Sequence, residues 1–262
     1  MKQTILEQIS TECPWRDTLY WYPCLDSTNT KAKELAKGGA PAGTVVIAGQ
    51  QTGGRGRLGR SFASDEGGMY LSVILRPQCT PDMLMHLTCA AGLASCKAVE
   101  RACGILPSIK WINDLVYGQK KLGGILTELG IDSNGMVDYA IVGIGINCCQ
   151  QDFPKELQEI ATSVSRIANA PCSPAQIAGA LIEELCAMDK VLLTEKSAIM
   201  QAYRSRCITL GKEVSLLRGE EISHGKALDI GEDGGLVVEF SDGSVKTVSS
   251  GEVSVRGMYG YL

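Results

Sequence analysis

Three arginines, Arg55, Arg57 and Arg60, stand within "GGRGRLGRSF", residues 53–62, with no acidic residue before Asp65. Like charges this close on a glycine-rich loop repel one another unless an anion neutralises them. Guanidinium forks suit carboxylate and phosphate oxygens, and glycine amides add further donors. The same stretch spells G-x-G-x-x-G through Gly54, Gly56 and Gly59, the letters of a dinucleotide-binding turn. Such a turn must lie between a strand and a helix, because the helix N-terminus supplies the field that holds a pyrophosphate. Before the loop, "GTVVIAGQQ" reads as a buried strand over Val45, Val46 and Ile47. After it, "SFASDEGGMYLSVILRP" offers turn residues and then a second strand, Met69 to Leu75, closed by Pro77. No helix opens at Gly59, so the loop reads as an anion clamp, with a merely solvated surface loop as the alternative.

The second constellation is "KWINDLV…KKLGGILTE". Asn113 and Asp114 follow a strand near Ile109, Lys110 and Trp111, and side chains at a strand end face a cleft, where an aspartate can hold a metal-phosphate complex or orient an amine. Leu115 to Tyr117 and Ile125 to Leu129 read as a hairpin joined by the turn "GQKK". Lys120 and Lys121 are then either solvated turn residues, or Lys121, leading into the apolar "KLGGIL", carries its ammonium toward the sheet and requires a buried anion. "VDYAIVGIGIN", residues 137–147, is a further buried strand whose Gly143 and Gly145 allow close approach of backbone or ligand.

The 11 cysteines form no C-x-x-C, and His86 and His224 are isolated from any cysteine pair, which argues against a structural zinc site; no other set of metal ligands stands out. Cys89, Cys96 and Cys103 recur every seven residues along one helix face and read as small buried apolar groups. Cys148 and Cys149 have no histidine near them in sequence to make a nucleophile.

The elements that must position these residues are legible in outline. "LDSTNTKAKELAKGG" is a helix with Asp26 or Ser27 as N-cap and Gly38-Gly39 as its stop. A long helix runs from about Pro81 to Ala102, and helical periodicity returns from Pro174 to Tyr203 with Ile177, Leu181, Leu185 and Met188 on one face. From Ile208 short strands alternate with turns at "RGEE", "GEDGG" and "SDGS", a small β-barrel of about 50 residues. The expected organisation is therefore an α+β domain over residues 1–207, built on a mixed sheet with helices, and a β-barrel domain over 208–262.

With 25 Lys and Arg against 29 Asp and Glu, a net charge of −4, the chain lacks the basic surface of a general nucleic-acid binder, so any anion site must be local. "MKQTILEQISTECPWRD" has neither a signal-peptide core nor a run long enough to span a bilayer, and no membrane association is expected. A cytoplasmic location follows, with the cysteines as thiols.

"DSTN", "QTGGRGRLGRSF", "KWINDL", "KLGGILTE" and "GIGIN", in that order and spacing, resemble biotin protein ligase, the biotin-[acetyl-CoA-carboxylase] ligase family. Each motif alone is weak, whereas five in order are specific, and the small C-terminal β domain extends the likeness over most of the chain. The resemblance implies a class II synthetase-like catalytic domain and an SH3-like C-terminal barrel. It implies a two-step activity: the carboxylate of biotin attacks the α-phosphate of Mg2+-ATP to give biotinyl-5'-AMP and pyrophosphate, and a lysine of biotin carboxyl carrier protein then takes the acyl group and releases AMP. A mixed anhydride must be shielded from water, which a closing glycine-rich loop can do.

Carried over by motif, Ser27, Thr28 and Gln51 resemble the polar contacts to the ureido ring of biotin, with Asn29 beside them in the binding set, and Gly54 and Arg55 lie in the loop that covers it. Arg57 and Lys121 resemble the cations that meet the carboxylate and α-phosphate. Gly124 resembles a backbone contact to biotin. Asn113, Asp114 and Asn147 resemble nucleotide or metal-phosphate contacts, with Asp114 also placed to orient the incoming lysine. Three departures stand out. Ile112 replaces a proline common in the family, and Phe62 replaces a tryptophan, weakening any adenine stacking there. About 21 residues precede the "DSTN" region, too few for a winged helix-turn-helix, so DNA binding is not expected. The oligomeric state is left between monomer and homodimer. The rival readings are a lipoate-type protein ligase and a non-catalytic effector-binding module.

Overall fold

The computed structural model describes residues 1–218, 221–249 and 252–255. A seven-stranded sheet carries the first part of the chain, in the order β1 (Leu19–Tyr22), β2 (Val45–Ala48), β3 (Gly68–Leu75), β7 (Val137–Asn147), β6 (Lys120–Ile131), β5 (Asp114–Tyr117), β4 (Ser108–Lys110). β1 runs parallel to β2 and every other neighbour is antiparallel, so the sheet is mixed as expected.

Alternation along the central strands decides what lies on each face. Met69, Leu71, Val73 and Leu75 of β3 join Ala140, Val142, Ile144 and Ile146 of β7 in the main core. That face is covered by α3 (Leu87–Cys103), α5 (Pro174–Val191) and α6 (Lys196–Arg206), with α1 (Lys2–Leu6) against α5. The opposite face divides in two. Its lower half is apolar, with Val46, Ile74, Tyr139 and Ile141 packed under Ala32 and Ala36 of α2 (Thr28–Lys37). Its upper half bears Tyr70, Ser72, Gly143 and Gly145, paired across β3 and β7 as Tyr70 with Gly145 and Ser72 with Gly143. Small and polar residues there leave a hollow that α2 does not fill.

Helix α2 starts as its sequence dictates: Ser27 is the N-cap and its Oγ accepts the amide of Thr30 at 3.4 Å, while Gly38 closes the other end. Other expected boundaries shift. The helix foreseen from Pro81 to Ala102 is a 3-10 turn, Pro81–Leu84, followed by α3, with His86 turned inward so that its Nε2 meets the Leu192 carbonyl oxygen at 2.8 Å. The helical run 174–203 is two helices, α5 and α6, separated at Leu192–Glu195, and a short α4 (Val164–Ala168) precedes them.

The hairpin of β5 and β6 differs more consequentially. The turn is shorter than "GQKK", because β6 already begins at Lys120. A bulge then sets Val116 opposite Lys121 but Leu115 opposite Gly123. One extra residue in β6 reverses its alternation, so Lys121 and Gly124, three apart, line the same hollow while Leu122 and Ile125 enter the core.

A second, antiparallel sheet of five strands follows, in the order β11 (Val245–Val248), β10 (Leu236–Phe240), β9 (Glu221–Ile230), β8 (Glu213–Arg218), β12 (Glu252–Val255). The turns "GEDGG" and "SDGS" are where the sequence puts them, whereas Gly219 and Glu220 of "RGEE" and residues 256–262 lie outside the described residues. Val214, Leu216, Ala227, Ile230, Leu236 and Val238 belong to the same hydrophobic cluster as the large sheet. Polar fasteners cross the junction: Trp111 Nε1 donates to the Gly234 carbonyl at 2.8 Å, its amide donates to Thr209 Oγ1 at 2.9 Å, and Arg204 pairs with Asp229 and Glu232. No helix among the described residues is long and apolar enough to cross a membrane.

Candidate active site

The hollow on the upper sheet face is roofed by the arginine loop, and one cavity results. Ser27, Thr28, Asn29, Gln51, Arg55, Arg57, Phe62, Asn113, Asp114, Lys121 and Gly124 all line it, so eleven of the thirteen residues singled out by sequence meet in one place. Gly54 and Asn147 do not line it. Gly54 sits at the foot of the loop, where a Cβ would stand 2.4 Å from both the Phe62 carbonyl oxygen and Ser64 Oγ. Asn147 ends β7, buried, with its Nδ2 donating to the Thr162 carbonyl at 3.0 Å.

The loop is a narrow ladder rather than a coil. The Phe62 amide donates to the Gly54 carbonyl at 2.9 Å, Arg55 bridges Ser61, and the Gly56 amide donates to the Arg60 carbonyl at 2.7 Å. Only Arg57–Gly59 remains as the tip, and there Leu58 (φ 56°) and Gly59 (φ 75°) take left-handed backbone, with the Leu58 side chain facing solvent. A β-carbon makes that conformation costly, so Leu58 holds local strain.

The cavity has two chemically distinct ends. At one, everything is neutral: the Thr28 amide and Oγ1 donate to Gln51 Oε1 at 2.7 and 3.0 Å, and Gln51 Nε2 donates to Ser64 Oγ at 2.9 Å. At the other, two cations are held by partners that leave them facing the space. Arg57 Nη1 donates to Asn113 Oδ1 at 3.2 Å, and Asn113 is itself fixed by Nδ2 donating to the Ile125 carbonyl at 3.0 Å. Lys121 Nζ meets Asp114 Oδ1 at 2.6 Å, with about a quarter of the lysine side chain and a seventh of the aspartate exposed. The Lys121 backbone is pinned on both sides, its amide to the Ile160 carbonyl at 2.8 Å and its carbonyl to the Thr162 amide at 2.9 Å. Of the two sequence readings of Lys121, the one that turns its ammonium toward the sheet is the observed one.

Between the ends lies a glycine floor under an aromatic ring. A Cβ on Gly145 would stand 2.6 Å from Phe62 Cε1, and one on Gly124 would stand 3.5 Å from both Phe62 Cε2 and Lys121 Nζ. Phe62 meets Tyr70 edge to face with ring centroids 6.5 Å apart, and Lys121 Nζ lies 5.9 Å from the Phe62 centroid.

Sequence reasoning missed several lining or supporting residues. Lys110 also lines the cavity while only 3% exposed. Its signal was a charge between Ile109 and Trp111 on a strand, where alternation sends it to the face opposite the core. Ser72, fully buried, is the one aliphatic hydroxyl in the run "MYLSVIL" and joins Thr28 and Asn29. The cysteines are free thiols. Cys148 is buried against the Ile146 carbonyl, and burial pushes the Cys149 thiol up, so neither is an activated nucleophile. Among the described residues no group of three or more His, Cys, Asp or Glu could hold a metal ion.

Residues 21–147 match the Biotin/lipoate A/B protein ligase family, and residues 209–256 match the Biotin protein ligase C terminal domain. The chain is 36% identical over 251 residues to the bifunctional ligase/repressor BirA of Bacillus subtilis, covering 90% of this chain and 74% of that one. It is 33% identical over 234 residues to the biotin-[acetyl-CoA-carboxylase] ligase of Mycobacterium tuberculosis, covering 87% and 85%. Among solved structures, the biotin protein ligase from Aquifex aeolicus in complex with biotin and ATP aligns with a TM-score of 0.77 at 33% identity, over 91% of this chain and 98% of that one. With two domain models matched in order and relatives at this identity matched over 74% or more of their length, the chain belongs to the biotin protein ligase family and is an enzyme.

Proposed function

We propose that this chain joins biotin to a lysine of a biotin carboxyl carrier protein through biotinyl-5'-AMP. One observation carries the proposal: a single cavity offers neutral amide and hydroxyl groups at one end, a glycine and aromatic channel between, and Arg57 and Lys121 at the other. That sequence of environments complements a ligand with a neutral cyclic urea, an apolar body and a terminal carboxylate.

In the first step an oxygen of the biotin carboxylate forms a bond to the α-phosphorus of ATP, the bond to the bridging oxygen breaks, and pyrophosphate leaves. Negative charge gathers on the α-phosphate as this happens, and Arg57 and Lys121, held by Asn113 and Asp114, stabilise it without reorganising. In the second step a carrier lysine, as the free amine, attacks the acyl carbon; AMP departs and the nitrogen loses a proton. Asp114, already facing an ammonium, is the group that orients that amine. Arg55 and the loop tip keep water from the anhydride. Asn113 and Lys110 serve the nucleotide side, while Asn147 and Gly54 support the frame.

The donor set bears on magnesium. Asp114 is the one carboxylate that lines the cavity among the described residues, which fits an ion brought in on the nucleotide phosphates and held by one carboxylate rather than by a protein cage. Magnesium so bound would neutralise phosphate charge.

The experiment is a mass spectrum of a carrier domain incubated with this chain, biotin and Mg2+-ATP. A gain of one biotin on one lysine is expected. No gain, or a gain with lipoate but not with biotin, overturns the proposal.

A further inference from the structure

A chain of hydrogen bonds runs from the surface to the neutral end of the cavity, and it has a direction. Lys33 Nζ meets Glu128 Oε1 at 3.2 Å. The other carboxylate oxygen, Oε2, accepts from Asn29 Nδ2 at 3.0 Å, and the same amide group donates to the Leu126 carbonyl at 3.3 Å. Asn29 Oδ1 then lies 2.6 Å from Ser72 Oγ, and Ser72 Oγ lies 2.8 Å from Thr28 Oγ1. There is no slack at this point, since a Cβ on Gly143 would fall 1.9 Å from Asn29 Oδ1.

Counting protons fixes the sense of every link. A carboxylate only accepts, so Asn29 must turn its amino group to Glu128 and its carbonyl to Ser72. Ser72 has one hydroxyl proton, and Asn29 Oδ1 takes it. Thr28 also has one, and it goes to Gln51 Oε1, while the Ser72 hydroxyl, which is placed to donate to Thr28, has already given its proton to Asn29. No neighbour therefore has a proton left for Thr28. Gln51 offers Thr28 only its oxygen, because the Thr28 amide holds Oε1 in place and Nε2 is turned to Ser64. Thr28 Oγ1 therefore confronts the cavity with lone pairs alone.

We infer that Glu128, half-buried on the surface side of the network, is a positioning residue that makes Thr28 a hydrogen-bond acceptor toward the ligand and so selects a ligand N–H over a ligand oxygen at that spot. The inference rests on the biotin reading, in which the cyclic urea supplies the N–H. Replacing Glu128 with an amide removes the charged acceptor and leaves only the longer contact to the Leu126 carbonyl to hold Asn29: Asn29 can then turn over and donate to Ser72, Ser72 can donate to Thr28, and Thr28 receives a proton where the ligand's should be.

The test uses ligand binding to the whole chain by calorimetry, without ATP or carrier. The probes are biotin and its two cyclic carbamate analogues, in each of which one urea N–H is replaced by oxygen. A site whose buried acceptor loses its donor discriminates strongly, so the parent is expected to bind biotin at least about a hundredfold more tightly than one of the two analogues. Glu128→Gln should reduce that ratio to below about tenfold, chiefly by weakening biotin. Lys33→Met, which leaves the carboxylate in place, should keep the parent's ratio. If Glu128→Gln does not fold, Asn29→Ala cuts the same chain and should lower the ratio in the same way. An equal loss for biotin and analogue in these variants would mean general loosening and would overturn the inference, as would a parent with no preference. A parent that binds biotin with this preference but transfers none to a carrier would sink the ligase reading and leave the inference standing.

Discussion

Lys121 and Asp114 face each other across the β5–β6 bulge, Nζ to Oδ1 at 2.6 Å, although strict alternation from Gly124 would have turned the lysine into the core. The bulge therefore creates the charged end of the cavity. Lys121→Ala should lower the rate of biotin-dependent pyrophosphate release by about a hundredfold or more, the usual cost of losing a preorganised charge at the reacting centre. Lys121→Arg should recover only part, because a planar fork does not fit the space of an ammonium. Pyrophosphate release followed in single turnover decides this, and a loss under threefold would remove Lys121 from the adenylation step.

Arg57 should behave differently, because it lies on the loop tip and the rungs of the loop's ladder are backbone bonds. Arg57→Gly is expected to keep adenylation measurable while releasing biotinyl-5'-AMP into solution, where it labels lysines other than the carrier's. Arg57→Lys restores charge without the fork and should rescue retention partially. Rapid-quench measurement of bound and free adenylate provides the check, and tight retention by Arg57→Gly would refute the clamp role.

The contact between Gly145 and Phe62 sets up a stability test. A methyl on Gly145 would stand 2.6 Å from Phe62 Cε1, so Gly145→Ala must push the ring aside, at a cost of about 1–3 kcal/mol. Gly145→Ala combined with Phe62→Leu should recover most of that loss, while biotin affinity stays weakened by about tenfold or more because the channel is narrowed. Denaturant unfolding of the single and double variants, with biotin titrations, separates the two effects; additive losses would show that the ring and the floor do not interact.

His86 predicts an acid dependence of stability. Its Nε2 faces the Leu192 carbonyl, an acceptor, so Nε2 carries the proton and Nδ1 is bare, and Nδ1 is buried with no partner among the described residues. Desolvation first, with nearby Lys196 also opposing the charge, lowers its pKa from 6.5. The unfolded chain then binds a proton that the folded one does not, so stability is full above 6.5 and falls as pH drops toward the lowered value, by up to about 1.4 kcal/mol per unit. His86→Gln keeps a donor for Leu192 and has no such proton, so its melting temperature should fall less between pH 7 and pH 5. Equal slopes for parent and variant would assign the acid sensitivity to other groups.

Much of the frame was legible because it is written locally. Val45–Ile47, Met69–Leu75 and residues 137–147 are β-branched or apolar runs with clear punctuation, and Ser27 and Gly38 mark α2 as a cap and a stop should. The motif residues converge because glycines and one-sign charges on a loop have few other uses. What escaped was set by distant partners. The bulge at Lys121 depends on pairing with β5 and with residues 160–162, and the break at His86 depends on a carbonyl more than a hundred residues away. Ser72 and Glu128 stand on different strands with nothing in the sequence to link them until α2 brings Asn29 between them.

The ladder inside the arginine loop bears on how long a reactive acyl-adenylate stays shielded. With Gly54 tied to Phe62, Arg55 to Ser61 and Gly56 to Arg60, only the three residues Arg57–Gly59 lie beyond the ladder, closed by the Arg60 amide on the Arg57 carbonyl. At about 1–2 kcal/mol per residue, ordering the tip costs roughly 3–6 kcal/mol, far less than freezing a coil of the loop's full length. A loop paired this way can close as one stiff flap about its feet, and lid closures are of the microsecond to millisecond class. Under the ligase reading, the lifetime of the anhydride beneath it follows the frequency of such a swing rather than melting and reforming of the loop.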